Sequence, residues 1–192
     1  MTQDDVLDQF RRLGALLDGH FKLSSGLHSP AYLQCALVLQ HPAEAERLGR
    51  ALAAMLPGDS ATAVLSPALG GLIIGHEVAR SLGVRAIFAE RVEGKLTLRR
   101  GFQLSQADRV VVVEDVVTTG GSTRETMDVA RAAGATVVAA AAVINRSGTA
   151  TPVDVPFAAL AAITPPTYPP DACPLCANGN PITKPGSRPG QS

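Results

Sequence analysis

The sequence has no surplus of charge: 17 Lys and Arg balance 17 Asp and Glu, giving a formal net charge of zero. A domain that holds nucleic acid through bulk positive charge is basic overall. No nucleic-acid partner is therefore expected, although a local basic patch remains open. No apolar run approaches the roughly 18 residues of a membrane span, so no membrane partner is expected either. The first 17 residues, MTQDDVLDQFRRLGALL, begin acidic and are amphipathic, unlike a secretory signal. Cysteine is scarce, with only Cys35, Cys173 and Cys176. An odd, low count of this kind reads as a reducing cytoplasm rather than a disulfide scaffold. Also missing are Gly-x-Gly-x-x-Gly, Gly-Lys-Ser/Thr and His-x-x-x-His. Those gaps argue against a dinucleotide fingerprint, a P-loop and a catalytic metal cage on a helix.

What remains is a chain of 192 residues, 46% hydrophobic and 18% charged, ordinary for a globular protein. The length suits one domain with a sizeable core and a small attachment. Residues 4–17 place Val6, Phe10, Leu13 and Leu17 on one helical face. Residues 19–34, dense in Gly, Ser and Pro, read as a loop or hairpin forming a hood. Residues 42–56 form a second helix with Pro42 in its first turn and a stripe of Ala45, Leu48, Leu52 and Met55.

Short strands then alternate with helices. Strands are expected from residue 63, over 84–90, 110–113, 136–144 and 157–163. Helices are expected over 73–82 and from about Ser122 to Ala133, with Gly83 and Gly134 as stops. Alternation of this kind implies parallel pairing and an α/β fold with a doubly wound, mostly parallel sheet. The expected organisation is an N-terminal helix and hood over residues 1–40, an α/β core over 41–165, and a Pro-rich tail over 166–192. Ligands of such sheets bind beyond the strand C-termini. The unusual loops follow Leu65, Glu90, Val113 and Ile144, all at that end.

One of these loops sets a puzzle. VVVVEDVVTTGGST, residues 110–123, joins a fully apolar strand to two acids and then to hydroxyls and glycines at a helix start. Unpaired amides and the macrodipole favour an anion there, by about 0.3–2 kcal/mol, enough for one phosphate group but not a chain of them. Acids repel phosphate, so both features make sense together only if the ligand carries hydroxyls beside its phosphate. Glu114 and Asp115 would then accept from ribose hydroxyls and stabilise positive charge at the anomeric carbon. The bland alternative is an ordinary loop with Ser122 as the helix cap.

This stretch resembles the phosphoribosyl-pyrophosphate (PRPP) signature of type I phosphoribosyltransferases. LSSGLHSPAYLQ (residues 23–34), EGKLTLRRGF (93–102), INRSG (144–148) and the CPLC…PITKPGSR tail resemble the short-loop bacterial and archaeal branch of the orotate phosphoribosyltransferase family. The resemblance implies transfer of a 5-phosphoribosyl group from PRPP to N1 of orotate, giving orotidine 5′-monophosphate and pyrophosphate in pyrimidine biosynthesis. It implies Mg2+ riding on substrate oxygens, and a homodimer with shared sites.

Residue by residue, it implies that Glu114 and Asp115 meet the ribose hydroxyls. Val116, Val117, Thr118, Thr119, Gly120, Gly121 and Ser122 form the PRPP loop. Ala68 and Leu69, within SPALGG (residues 66–71), meet the pyrophosphate. Thr118, Arg146 and the Tyr32–Leu33 backbone contact orotate, with Arg146 on its carboxylate. Arg91, Lys95, Arg99 and Arg100 crowd ten residues beside a single acid, Glu93, and are bracketed in part by Gly94 and Gly101. They read as a mobile lid on the pyrophosphate, with Arg91 and Lys95 the lid cations placed on PRPP. Glu114, Asp115 and Lys95 are the expected catalytic set.

Two departures stand out. Ser24 occupies the position of a hood lysine found in better-known members, with Lys22 two residues earlier, and the lid carries no histidine. A purine-type transferase and a non-catalytic PRPP-sensing regulator stay open as alternatives. Cys173-x-x-Cys176 supplies half of a zinc site, but no second pair follows, and Zn2+ needs four ligands. Cys35 or a histidine would have to be recruited, so a tail turn with free thiols is the expectation.

Overall fold

The computed structural model describes residues 1–23, 25–57 and 61–185. Ser24 and the last residues of the tail motif lie outside that range. Six strands form one sheet in the order β5-β4-β3-β6-β7-β8. They are β3 (Ala63–Pro67), β4 (Arg85–Val92), β5 (Lys95–Leu98), β6 (Arg109–Val117), β7 (Thr136–Asn145) and β8 (Phe157–Ala162). All neighbours pair in parallel except β4 with β5. A separate antiparallel hairpin, β1 (Leu16–Lys22) with β2 (His28–Leu33), forms the hood.

Alternation along β6 divides the core. Val111 and Val113 face one side of the sheet, where they join α1 (Gln3–Arg12), α3 (Pro42–Ala53) and α4 (Gly71–Leu82). Val110 and Val112 face the other side with Met127 and Ala130 of α5 (Gly121–Ala132). All four valines are fully buried. A run without polar alternation is what a strand covered on both faces requires.

Several expectations shift at their edges. The first helix ends at Arg12, because Gly14 takes a left-handed φ of 67° and turns the chain into β1. Leu17 therefore lies on a strand, although its spacing from Val6 continues the helical stripe. The second helix ends at Ala53, leaving Met55 exposed. The helix after SPALGG begins at Gly71 rather than residue 73. β6 runs on to Val117, so the acid pair lies within the strand and not past its end. The cap of α5 is Gly120, at φ 73°, in place of Ser122.

The lid segment is also more ordered than a loop. Residues 93–94 turn β4 back into β5, both at positive φ. The tail clasps the hood on both edges. Tyr168 exchanges two backbone hydrogen bonds with His28, while Thr183 accepts from Lys22 N and donates to the His20 carbonyl. Two short helical segments complete the chain, α2 (Ala36–Leu39) behind the hood and α6 (Pro174–Ala177) in the tail.

Candidate functional site

The two acids sit side by side in sequence and on opposite faces in space. Strand periodicity of two sends Glu114 toward α5 and Asp115 toward α4. Glu114 is buried, and its two carboxylate oxygens accept from Ser122 Oγ at 2.8 Å and Thr123 Oγ1 at 2.7 Å. Burial raises its pKa, and these hydroxyls oppose the rise. Glu114 thus fixes the first turn of α5, where the loop of residues 118–122 ends.

Asp115 holds a different position. Its Oδ1 accepts from Val116 N at 2.8 Å, and burial raises its pKa above the ordinary aspartate value. Across from it lies Gly70, at the start of α4. A Cβ on Gly70 would stand 2.7 Å from Asp115 Oδ1. Only glycine lets the SPALGG turn and the acid strand approach this closely. Ala68 and Leu69, joined by a cis peptide bond, lead into that glycine, and Leu69 is 81% exposed. The pyrophosphate-loop candidates and Asp115 therefore share one surface.

The loop of residues 118–122 is drawn tight from behind. Arg124 donates from Nη2 to the Thr119 carbonyl at 2.8 Å and from Nη1 to the Pro152 carbonyl at 2.7 Å. Gly120 bends over that guanidinium, leaving no room for a side chain: a Cβ there would lie 2.8 Å from Arg124 Nη1. Thr118 and Thr119 stay exposed. The Thr119 carbonyl is thus turned inward toward Arg124, while the Ser122 hydroxyl is committed to Glu114 and the Gly121 amide donates to Thr119 Oγ1.

Arg146 enters from the neighbouring strand. Its backbone N–H donates to the Val117 carbonyl at 2.7 Å, which places it beside the start of the phosphate loop. Asn145 organises the turn that follows, accepting from Ser147 and donating to the Thr149 carbonyl. The hood reaches the same place from the other side. Cys35, just past β2, is buried with its thiol 3.8 Å from the Asp115 carbonyl oxygen. Burial pushes that thiol's pKa well up, Asp115 adds to the rise, and Arg146 opposes it. Tyr32 and Leu33 lie three and two residues before this Cys35 contact, with the Tyr32 ring 5.8 Å from that of Phe21.

The lid cations divide. Arg91 pairs with Glu125 at 2.8 Å and donates to the Gly94 carbonyl, while Glu125 also accepts from Leu96 N at 2.7 Å. Arg100 grips Glu90 through two hydrogen bonds and lies over the Phe88 ring. Lys95 and Arg99 are exposed and form no ion pair with the described residues. Lys95 makes no side-chain contact with Glu114 or Asp115, so the structure does not join it to the other two expected catalytic residues.

Sequence reading missed Thr123, Arg124 and Glu125. Their signal was available, since residues in the first helical turn after a phosphate loop face either the strand behind it or the loop itself. It also missed what surrounds the tail cysteines. Cys173 and Cys176 do not occupy an isolated turn, because His20 and His28 of the hood converge on both. The two histidines are eight residues apart and meet only because the hairpin folds them together.

The fold and this strand–acid–loop–helix unit define a phosphoribosyl transferase domain, and the family model of that description matches residues 37–164. The chain is 54% identical over 190 residues to an orotate phosphoribosyltransferase of Heliobacterium modesticaldum, covering 98% of this chain and 100% of that one. It is 51% identical over 188 residues to the enzyme of that name from Pelotomaculum thermopropionicum, covering 98% and 99%. Among solved structures, the orotate phosphoribosyltransferase of Aeropyrum pernix superposes with a TM-score of 0.70 at 27% identity, covering 82% of this chain and 93% of that one. The chain belongs to the orotate phosphoribosyltransferase family.

Proposed function

We propose that the protein transfers the 5-phosphoribosyl group of PRPP to N1 of orotate, releasing pyrophosphate, as a step of pyrimidine biosynthesis. The observation that carries this reading is the joining of three things at one strand end. They are a carboxylate pair, a tightened helix-start loop and an arginine bonded to the same strand. The 5-phosphate takes the amides and hydroxyls of residues 118–122. Asp115, with its partner oxygens less committed than those of Glu114, takes the ribose hydroxyls. Glu114 holds the loop in register and turns to the ribose as its hydroxyl partners yield.

In the reaction the C1′–oxygen bond to pyrophosphate breaks and the N1–C1′ bond forms. Positive charge develops on the ribose ring, and carboxylates fixed in a low-dielectric strand end stabilise it without reorganising. Orotate brings an ionised or readily ionised N1, so no poised base is required. Arg146 holds the orotate carboxylate in a bidentate grip, with Thr118 and the Tyr32–Leu33 backbone bordering the ring.

Two carboxylates, one already bonded at both oxygens, make a partial donor set. That suits Mg2+, which keeps waters and binds largely through substrate phosphates. When bound, it supplies positive charge against the departing pyrophosphate. Lys95 and Arg99, exposed and forming no salt bridge among the described residues, are available to a neighbouring chain's site, in keeping with a homodimer of shared sites. Among the described residues no helix is long and apolar enough to cross a membrane, and all three thiols are free, in keeping with a cytoplasmic enzyme.

The test mixes protein, PRPP, Mg2+ and orotate and follows the loss of orotate absorbance. Loss matched by pyrophosphate release is expected. Turnover of hypoxanthine or adenine in its place would give a purine-type enzyme, and binding without turnover a PRPP-sensing regulator.

A further inference from the structure

The geometry points to a mononuclear Zn2+ site formed by His20, His28, Cys173 and Cys176, clamping the hood to the tail. One ligand atom from each residue lies within 4.8 Å of all the others. His20 Nε2 is 3.0 Å from His28 Nδ1, 3.6 Å from Cys173 Sγ and 3.7 Å from Cys176 Sγ, and Cys176 Sγ is 3.3 Å from His28 Nδ1. Zn–S bonds of about 2.3 Å and Zn–N bonds of about 2.0–2.1 Å at tetrahedral angles put ligand atoms about 3.3–3.8 Å apart. These four separations, 3.0–3.7 Å, lie close to the edges of that tetrahedron, and the remaining two are within 4.8 Å.

Hydrogen bonding alone accounts poorly for the cluster. His20 Nδ1 lies 2.9 Å from the Asn180 carbonyl oxygen. A carbonyl cannot donate, so Nδ1 carries the proton and Nε2 is left as a bare lone pair. That single lone pair is approached by an imidazole nitrogen and two thiols, and it can accept from only one of them. A cation at the centre engages all four groups at once. The Asn180 carbonyl is then the outer partner that fixes ring tautomer and direction, as metal-bound histidines commonly have.

Each ligand is also held in place by backbone pairing. His20 and His28 meet across the hairpin beside the Lys22–His28 pair, at the register irregularity between Asp18 and Phe21. The His20 carbonyl accepts from Thr183 N and Oγ1, and His28 exchanges two hydrogen bonds with Tyr168. Cys173 caps α6, and Cys176 lies within that turn, so the Cys-x-x-Cys spacing brings both sulfurs to one side. Three of the four residues are buried and Cys176 is exposed, so the cluster opens to solvent only on the Cys176 side. Two thiolates and two imidazoles on a tetrahedron select Zn2+ over the oxygen-seeking Mg2+. The metal would join segments about 150 residues apart and set the angle of the hairpin that carries Tyr32 and Leu33.

The experiment reads metal directly, so it stands apart from the orotate reaction. Untagged full-length protein, purified without chelator, is analysed by elemental mass spectrometry and zinc-edge X-ray absorption. About one zinc per chain is expected, with a shell of two sulfurs and two nitrogens. A thiol-blocking mercurial should release that zinc stoichiometrically from the wild-type protein, a readout needing no variant. Cys176→Ser should lose most of the metal. The proposal is overturned by protein that lacks zinc and takes none up when it is added. A Cys173–Cys176 disulfide in fresh protein, iron in place of zinc, or a zinc shell without sulfur would overturn it equally.

Discussion

The loop of residues 118–122, proposed to take the 5-phosphate, and the hairpin of residues 91–101, proposed as the lid, are held in opposite ways. The loop is braced from within. Glu114 takes two hydroxyls in a buried setting, and Arg124 pulls the Thr119 carbonyl backward. The lid is held from without, by exposed pairs of Arg91 with Glu125 and Arg100 with Glu90. Exposed pairs contribute only about 0–1 kcal/mol each, so a diphosphate can outcompete the acids for those guanidiniums. On the proposed function, the braced loop is the fixed seat and the hairpin on weak pairs the one that changes partners.

Damage to the braced region should cost most. Asp115→Asn is expected to lower kcat by roughly a hundred-fold, the scale of a lost transition-state electrostatic contact; unchanged turnover would remove Asp115 from the mechanism. The same variant has a second signature. Burial raises the Asp115 pKa, so the folded protein gives up that proton at a higher pH than the unfolded chain does. That group's contribution to stability is full below the unfolded pKa and is lost as pH rises through the folded one. Asp115→Asn should therefore raise the thermal midpoint relative to wild type at pH 7, and the gain should shrink on acidification. A midpoint difference independent of pH would contradict this.

Arg146→Ala comes next. Loss of a charged bidentate contact, about 1.5–3 kcal/mol, should raise the orotate KM by roughly ten-fold or more and leave the PRPP KM nearly unchanged. Equal effects on both would refute its place on the base. Gly70→Ala presses a methyl group into the Asp115 carboxylate. Overpacking of this kind costs about 1–3 kcal/mol, so a lower thermal midpoint and a higher PRPP KM are expected together. Glu125→Gln should do least. It frees Arg91, shifts the midpoint within the small range of an exposed pair, and alters the PRPP KM more than kcat.

The contrast also marks where sequence reading reaches. Four consecutive valines gave a strand buried on both faces, and the hydroxyl–glycine run gave the helix start, because both signals are local. The division of labour between Glu114 and Asp115 was present in strand periodicity, but it needed the strand to continue to Val117. Lys95-Leu96-Thr97-Leu98 alternates as a strand should, with Leu96 buried and Lys95 and Thr97 exposed, yet its charge reads more loudly than its alternation. Leu13 and Leu17 extend the first helix's stripe past Gly14, so periodicity alone overruns the break. The His20–His28–Cys173–Cys176 cluster has no local signature, because its ligands meet only after hairpin and tail have paired.

Ribose 5-phosphate keeps the 5-phosphate and the ribose hydroxyls of PRPP and lacks its pyrophosphate. It therefore reports on the loop alone, and its titration into the wild type, Asp115→Asn and Lys95→Ala by calorimetry separates loop from lid. Asp115→Asn is expected to weaken this ligand, while Lys95→Ala leaves it unchanged and weakens only PRPP. Equal loss of ribose 5-phosphate binding in both variants would contradict it.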